Sequence, residues 1–210
     1  MALVVESFAS ASSTTTSVAV TKPTGVASGD LVIGVARANN ASAMSSTDFT
    51  TEVFDLDAVG GYRLALYYKI AGGSEPASYT FTGTASNNMD AAVIRVSGAD
   101  TTTPFDTHGT LEDSSEADST CNAPAITTAG DNYLVLRMAT PDGAVVTCST
   151  TPDTEIVRVE QLGVSYKIQA SAGTTGTGAF TFSLIEQYNA ATASFIPATA
   201  AAERRAVVSS

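Results

Sequence analysis

The chain holds one histidine, His108, inside Phe105-Asp-Thr-His-Gly109, and any reaction chemistry has to start there. Imidazole titrates near neutrality, so His108 beside Asp106 and the neighbouring serines supplies the residue types of a hydrolytic triad. Spacing argues against it. No Gly-x-Ser-x-Gly elbow presents a nucleophile, and nothing in the segment holds a serine against the ring, so His108 and Asp106 read as solvated loop residues. Carboxylates gather at Asp55 and Asp57, and again at Glu112, Asp113, Glu116 and Asp118. Calcium favours several oxygen ligands, but the second run lacks the ordered Asp/Asn/Gly/Glu spacing of a calcium loop. It reads as a solvated acidic connection, with a structural cation as the alternative. No catalytic, cofactor-binding or metal-ligating residue is assigned, and the chain reads as non-enzymatic.

The aromatic residues Tyr62, Tyr67, Tyr68, Tyr79, Tyr133, Tyr166 and Tyr188 raise a second chemistry, sugar recognition. That needs an exposed aromatic platform beside polar groups. Strand side chains alternate, so Tyr68 (with Tyr166) is expected in the core, and Tyr67 on the opposite face becomes the surface candidate. Cys121 and Cys148 allow one disulfide, but a bridge needs a Cα separation that spacing does not supply. Reduced or separately buried thiols are the preferred reading.

Composition narrows the classes. A chain of 210 residues removes roughly 70% of its extended surface from water on folding, so a core is available without staples. Charged residues make up 15%, against a usual share of about 25%, and Ser, Thr, Ala and Gly take their place. A formal charge of -11 argues against a nucleic-acid partner, because phosphate binding needs a Lys/Arg stripe. Lysine occurs only at Lys22, Lys69 and Lys167, and the one basic run is Arg204-Arg205. A surface so poor in long charged side chains suits a subunit held in an assembly. The start, Met1-Ala-Leu-Val-Val-Glu6, has neither a basic n-region with an apolar segment behind it nor a membrane span, so the expectation is either a leader already removed or assembly in the cytoplasm, the second being compatible with a virion protein released by lysis.

The elements that must carry these residues are strands. Apolar runs are short, rich in Val, Ile, Tyr, Phe and Thr, and bounded by Gly, Pro, Asp or Asn. Ser17 to Thr21 alternates around Val18 and Val20; Leu31 to Ala36 is apolar enough for burial on both faces; Arg63 to Ile70, Tyr79 to Thr82 and Ala91 to Val96 follow. Pro23-Thr-Gly25 and Gly29-Asp30 punctuate the first of these, and Gly72-Gly-Ser-Glu-Pro76 reads as a loop joining antiparallel neighbours.

The second half restarts the programme. Pro124 to Gly130-Asp131 precedes Tyr133-Leu-Val-Leu136 as Pro23 to Gly29-Asp30 precedes Leu31-Val-Ile33. Thr51-Glu-Val53 is echoed by Thr154-Glu-Ile156, Tyr68-Lys-Ile70 by Tyr166-Lys-Ile168, and Thr80-Phe-Thr82 by Thr181-Phe-Ser183. Ala190 to Ile196, closed by Pro197, matches Ala91 to Val96. Order-preserving echoes of this kind mark internal repetition. The expected fold is all-β with little helix: a jelly-roll-like β-sandwich of pseudo-repeats at about 14–98 and 118–197, in one domain over 1–197, with a tail at 198–210. The acidic stretch from Ser97 to Cys121 has the composition of a linker, and two separate domains are the alternative.

Pro23-Thr-Gly-Val-Ala-Ser-Gly-Asp-Leu-Val-Ile33 resembles a sandwich module recurrent in bacteriophage structural proteins and some bacterial surface proteins. The resemblance continues through Tyr67 to Ile70, Glu75 to Thr82 and Val93 to Gly98, followed by Pro104. Such modules often carry a tryptophan after the first buried strand; here Phe49 and Phe54 are the nearest large aromatics. The resemblance implies a decoration, tail-fibre or adhesion role and no catalytic residue. With no shaft and no trimerising heptads, the chain is expected to be a capsid decoration protein on the outer surface of a virion. Its expected partners are the major capsid protein and its own copies, with a trimer at a threefold position as the named form. Met1 to Ser13 and the tail are expected to reach onto the shell or a neighbour. The alternative is a tail-fibre, adhesion or carbohydrate-binding module recognising a host-surface glycan, in the tail or at an extracellular surface. No membrane and no cofactor enter either reading.

Overall fold

The computed structural model describes residues 2–40, 43–57, 61–86, 88–110, 112–143, 146–148 and 153–199, the side chains of 57, 113–117, 148, 157 and 158 excepted. The strands of the first half are β1 (Val4–Ser13), β2 (Ser17–Thr21), β3 (Leu31–Asn39), β4 (Met44–Ser45), β5 (Thr51–Asp57), β6 (Tyr62–Ile70), β7 (Ser78–Gly83) and β8 (Asn88–Ser97). Those of the second are β9 (Phe105–His108), β10 (Glu112–Ala123), β11 (Thr127–Thr128), β12 (Tyr133–Pro141), β13 (Val146–Cys148), β14 (Thr154–Val159), β15 (Leu162–Gln169), β16 (Gly173–Thr174) and β17 (Gly178–Phe195). The fold is all-β, built of antiparallel sheets, with no helix among the described residues.

A five-stranded sheet has the order β1-β8-β3-β6-β5, and a second large sheet the order β10-β17-β12-β15-β14, with β9 and β13 also paired to β17. One apolar cluster joins the two: Leu31, Ile33, Val35, Leu64, Leu66, Ile94 and Val96 from the first sheet, and Leu134, Leu136, Met138, Leu162, Val164, Ala193 and Phe195 from the second. Burying both inner faces this way is the dominant stabilising term, at roughly 25 cal/mol per Å² of apolar surface removed from water.

The first sheet is buried on its other face too. The three-stranded sheet β2-β7-β4 covers it, setting Val18, Val20, Tyr79 and Phe81 over Val32, Ala36, Ala65 and Tyr67. Gly34 sits at the centre of this layer, where an added Cβ would lie 2.6 Å from Phe49 Cζ and 2.8 Å from Phe81 Cζ. Only glycine lets those rings rest on the strand backbone. Double coverage explains why Leu31 to Ala36 of β3 is apolar at every position instead of alternating.

Several expectations change. Tyr67, read as the surface candidate, is 2% exposed, because the face opposite Tyr68 is roofed by β2-β7-β4 and not by water. The Gly72–Pro76 loop does not join sheet neighbours: it carries the chain from β6 to β7 in a different sheet. The Ser97 to Cys121 stretch is no linker, since it contains β9 and most of β10, which pair along β17. Of the Met1 to Ser13 segment, the Val4–Ser13 portion is β1, paired within its own sheet from Val4↔Ser97 to Ser13↔Met89. The expected C-terminal tail lies outside the described residues from 200 onward.

Candidate functional site

Charged residues buried between the sheets form the most concentrated polar chemistry of the described chain. Arg37 on β3 and Asp90 on β8 are direct cross-strand partners. Both point into the inter-sheet layer, continuing the rows Leu31-Ile33-Val35 and Val96-Ile94-Ala92 toward one end of the core. Both side chains are 0% exposed, with Arg37 Nε 3.5 Å from Asp90 Oδ2. Arg37 Nε also donates to Thr140 Oγ1 of the facing sheet at 3.3 Å, and Nη1 donates to the Asn88 carbonyl at 3.4 Å. Asp90 Oδ2 accepts from the Gln161 backbone N–H at 3.3 Å, and its carboxylate also accepts from Ser12. Beside them Asn189 Nδ2 donates to the Tyr62 carbonyl at 3.3 Å. Residues of both sheets are thus tied by hydrogen bonds at the end where the inter-sheet apolar layer stops.

Burial dominates the electrostatics. It lowers the Arg37 pKa, against the pull of Asp90, and raises that of Asp90 against Arg37, Gln161 and Ser12. Burial, then a hydrogen bond to Asp142, pushes the Tyr62 phenol up to about 12. Arg37 Nη2, Asp90 Oδ1, Gln161 Oε1 and Asn189 Oδ1 have no protein partner among the described residues. Outside this cluster opens a recess of about 550 Å³ lined by Ser12, Ser13, Thr14, Asn88 and Glu160. Ser12 and Asn88 separate it from the ion pair.

A second buried pair stands on the outer face of the other large sheet. Arg137 on β12 is ion-paired with Asp153, and its Nη2 donates to the carbonyls of Thr175 (3.2 Å) and Gly176 (2.8 Å). Gly178 passes so close that an added Cβ would lie 2.1 Å from Arg137 Cδ. Lys167 also donates to the Thr175 carbonyl, and burial, then the nearby Arg137, lowers its pKa. In strand register Arg137 opposes Ser165 as Gly34 opposes Tyr67. The first sheet's outer layer is apolar and rich in aromatic rings, whereas the second sheet's joins this ionic pair to an apolar patch of Ala139 and Ala190 under Val146, Phe180 and Phe182.

The residues singled out from sequence lie elsewhere and apart. His108 ends β9 exposed, its ring 5.5 Å from that of Phe54, and Nδ1 donates to the Gly109 carbonyl at 3.0 Å. Asp106 accepts from Ser194 Oγ at 2.9 Å, so the serine closest to this segment faces a carboxylate and not the imidazole. Asp55 is held by Arg63 at 2.8 and 3.1 Å and by the Met44 N–H at 2.9 Å. Asp118 accepts from the Ser119 and Thr120 N–H groups. Glu112 is exposed, and the side chains of Asp57, Asp113 and Glu116 lie outside those described. Among the described residues no group of three metal-ligating side chains gathers. All seven tyrosines are buried or half-buried, and the exposed aromatic is Phe8.

Cys121 is a free, buried thiol. Its strand and that of Cys148 flank β17, both cysteines pairing with Phe180 from opposite sides. Two strand spacings set their Cα atoms about 9.6 Å apart, beyond the ~7 Å that a disulfide spans.

Sequence reasoning missed Arg37, Asp90, Arg137 and Asp153. For three of them a signal was present: a charge set inside an apolar strand run, as in Val35-Ala-Arg-Ala38, Met89-Asp-Ala91 and Leu136-Arg-Met138. No protein-family model, curated protein or solved structure matches the chain.

Proposed function

We propose that this protein is a non-enzymatic structural component of a virion, a capsid decoration protein that binds major capsid protein subunits and its own copies on the outer shell. One observation carries the reading: the charged groups that the fold concentrates, Arg37 with Asp90 and Arg137 with Asp153, sit inside as ties between elements. What faces outward is strand edge, hydroxyl and scattered carboxylates such as Glu6, Glu52, Glu112 and Asp118. Such a surface recognises neighbours by backbone and hydroxyl hydrogen bonds, each worth about 1 kcal/mol, and repetition over a closed shell makes modest contacts collectively strong.

We also infer that the body is a jelly-roll-like sandwich of two pseudo-repeated halves. Matched registers support this: Thr51↔Tyr68 and Thr154↔Tyr166 pair alike, and both ladders slip one residue later, between Glu52 and Phe54 and between Glu155 and Val157. β3 lies between β6 and β8 as β12 lies between β15 and β17. β1 and β9 take corresponding places, Val5 opposite Val96 and Phe105 opposite Phe195, so the halves begin earlier than residues 14 and 118.

A second reading, recognition of a host glycan, rests on the recess lined by Ser12, Ser13, Thr14, Asn88 and Glu160, whose hydroxyl and amide groups match sugar hydroxyls. Purified protein added to undecorated shells separates the two. Saturable binding to shells is expected; no shell binding together with retention on a polysaccharide overturns the decoration reading in favour of the glycan.

A further inference from the structure

We propose that the free edge of β1 pairs antiparallel with β1 of a second copy across a two-fold axis, joining two five-stranded sheets into one. β1 is the terminal strand of its sheet, with β8 on one side only. A terminal strand presents a row of outward N–H and C=O groups, and edges that stay single are blunted by charge, proline, bulges or brevity.

The other terminal strands of the two large sheets are blunted in these ways. β5 carries Glu52, Asp55 and Asp57 in seven residues, and β10 carries Glu112, Asp113, Glu116 and Asp118. β14 is six residues long with Glu155 and Arg158. Both β5 and β14 are also bulged. In β1 the single charge, Glu6, coincides with the single irregularity, between Val5 and Ser7. From Ser7 to Ser13 the strand runs in unbroken register with β8 and holds neither charge, proline nor glycine. Its one large side chain, Phe8, is 50% exposed although it faces the same way as the core.

Self-pairing has a register that costs no charge. An axis at Ser10 sets Ser10 against its own copy, Ala9 against the partner's Ala11, and Phe8 against the partner's Ser12. The two Glu6 side chains then fall about 27 Å apart along the ladder, well beyond a Debye length of ~8 Å in physiological salt. The same operation on β5 would gather six carboxylates into one short ladder. With -11 on each copy, salt strengthens the pair by screening the overall repulsion.

This names the self-partner within the proposed assembly and rests on that reading only for its setting. A chain that dimerises without binding shells defeats the decoration role alone, and a monomer that saturates shells defeats this interface alone. Sedimentation of the whole chain over a concentration series is expected to show monomer and dimer, with the dimer favoured as salt rises. Ser10→Lys is expected to weaken the dimer at least tenfold while leaving the thermal midpoint within a few degrees. Ser10→Cys is expected to cross-link to a covalent dimer under mild oxidation, and Ser74→Cys, on an exposed loop, is not. A chain that stays monomeric, a trimer, or a dimer indifferent to both Ser10 substitutions overturns the inference.

Discussion

Replacing Arg37 by methionine tests whether the buried pair acts as a structural tie. Arg37 and Asp90 are both fully buried at 3.5 Å, and the substitution would leave the Asp90 carboxylate with the Gln161 N–H and Ser12 as its remaining support. Stranding one member of a buried ion pair costs about 3–5 kcal/mol. At roughly 2–4 °C per kcal/mol for a chain of this size, the midpoint should fall by about 6–20 °C. Asp90→Leu strands the guanidinium instead and should cost a similar amount. The double variant Arg37→Met with Asp90→Leu removes both desolvation penalties, and should lie within about 1–2 kcal/mol of the wild type. Sign matters for pH. Burial already holds Asp90 above the usual carboxylate range, and losing Arg37 raises it further. A raised folded-state pKa favours folding at acid pH, so the deficit of Arg37→Met should be largest at neutrality and shrink as pH falls through the Asp90 titration. Urea unfolding followed by circular dichroism reads all three variants. Single variants costing under about 1 kcal/mol, or a double variant whose loss equals their sum, would refute the reasoning.

Three further outcomes follow from buried groups elsewhere in the fold. Glu75 accepts from the Gly72 N–H at 2.7 Å and the Tyr79 hydroxyl at 3.0 Å and pairs with Lys69 at 2.9 Å; burial works to raise its pKa, but these partners together bring it below the ordinary value. Its contribution is therefore present at neutral pH and lost as pH falls through the lowered value, so Glu75→Gln should cost about 1.5–3 kcal/mol near pH 7 and almost nothing in strong acid, as read from unfolding midpoints against pH. Burial also pushes the Cys121 thiol well above its usual pKa, so iodoacetamide should leave it unmodified in the native protein at pH 8 and alkylate it in urea. Mass spectrometry of the unreduced chain should show no Cys121–Cys148 bridge.

How much of this was legible beforehand depended on how local the physics is. Alternation in Ser17 to Thr21 and the unbroken apolar run from Leu31 exposed β2 and β3 directly, because side-chain direction along a strand depends only on the pleat. β1 and β10 were hidden: Ser, Ala and acidic residues carry little strand pattern, and pairing with β8 and β17 is what makes them strands. The candidate site was hidden for a related reason. A charge inside an apolar run can be seen in the sequence, but which opposite charge it meets, 53 residues away for Arg37 and Asp90, depends on strand pairing.

The sequence by itself determined a strand-built chain, the order-preserving echoes between its halves, the excess of carboxylates, and the position of a few Gly- and Pro-marked turns, all consequences of short-range sterics and composition. Tertiary structure alone decided which faces are dry. Tyr67 is inside because a third sheet lies over it, and Gly34 is required because two rings descend on it. It likewise decided that the strands of Cys121 and Cys148 lie on opposite sides of β17, and that Arg37 is spent on Asp90 and Thr140 between two sheets. Coverage and pairing belong to distant segments, and no single run of residues carries them.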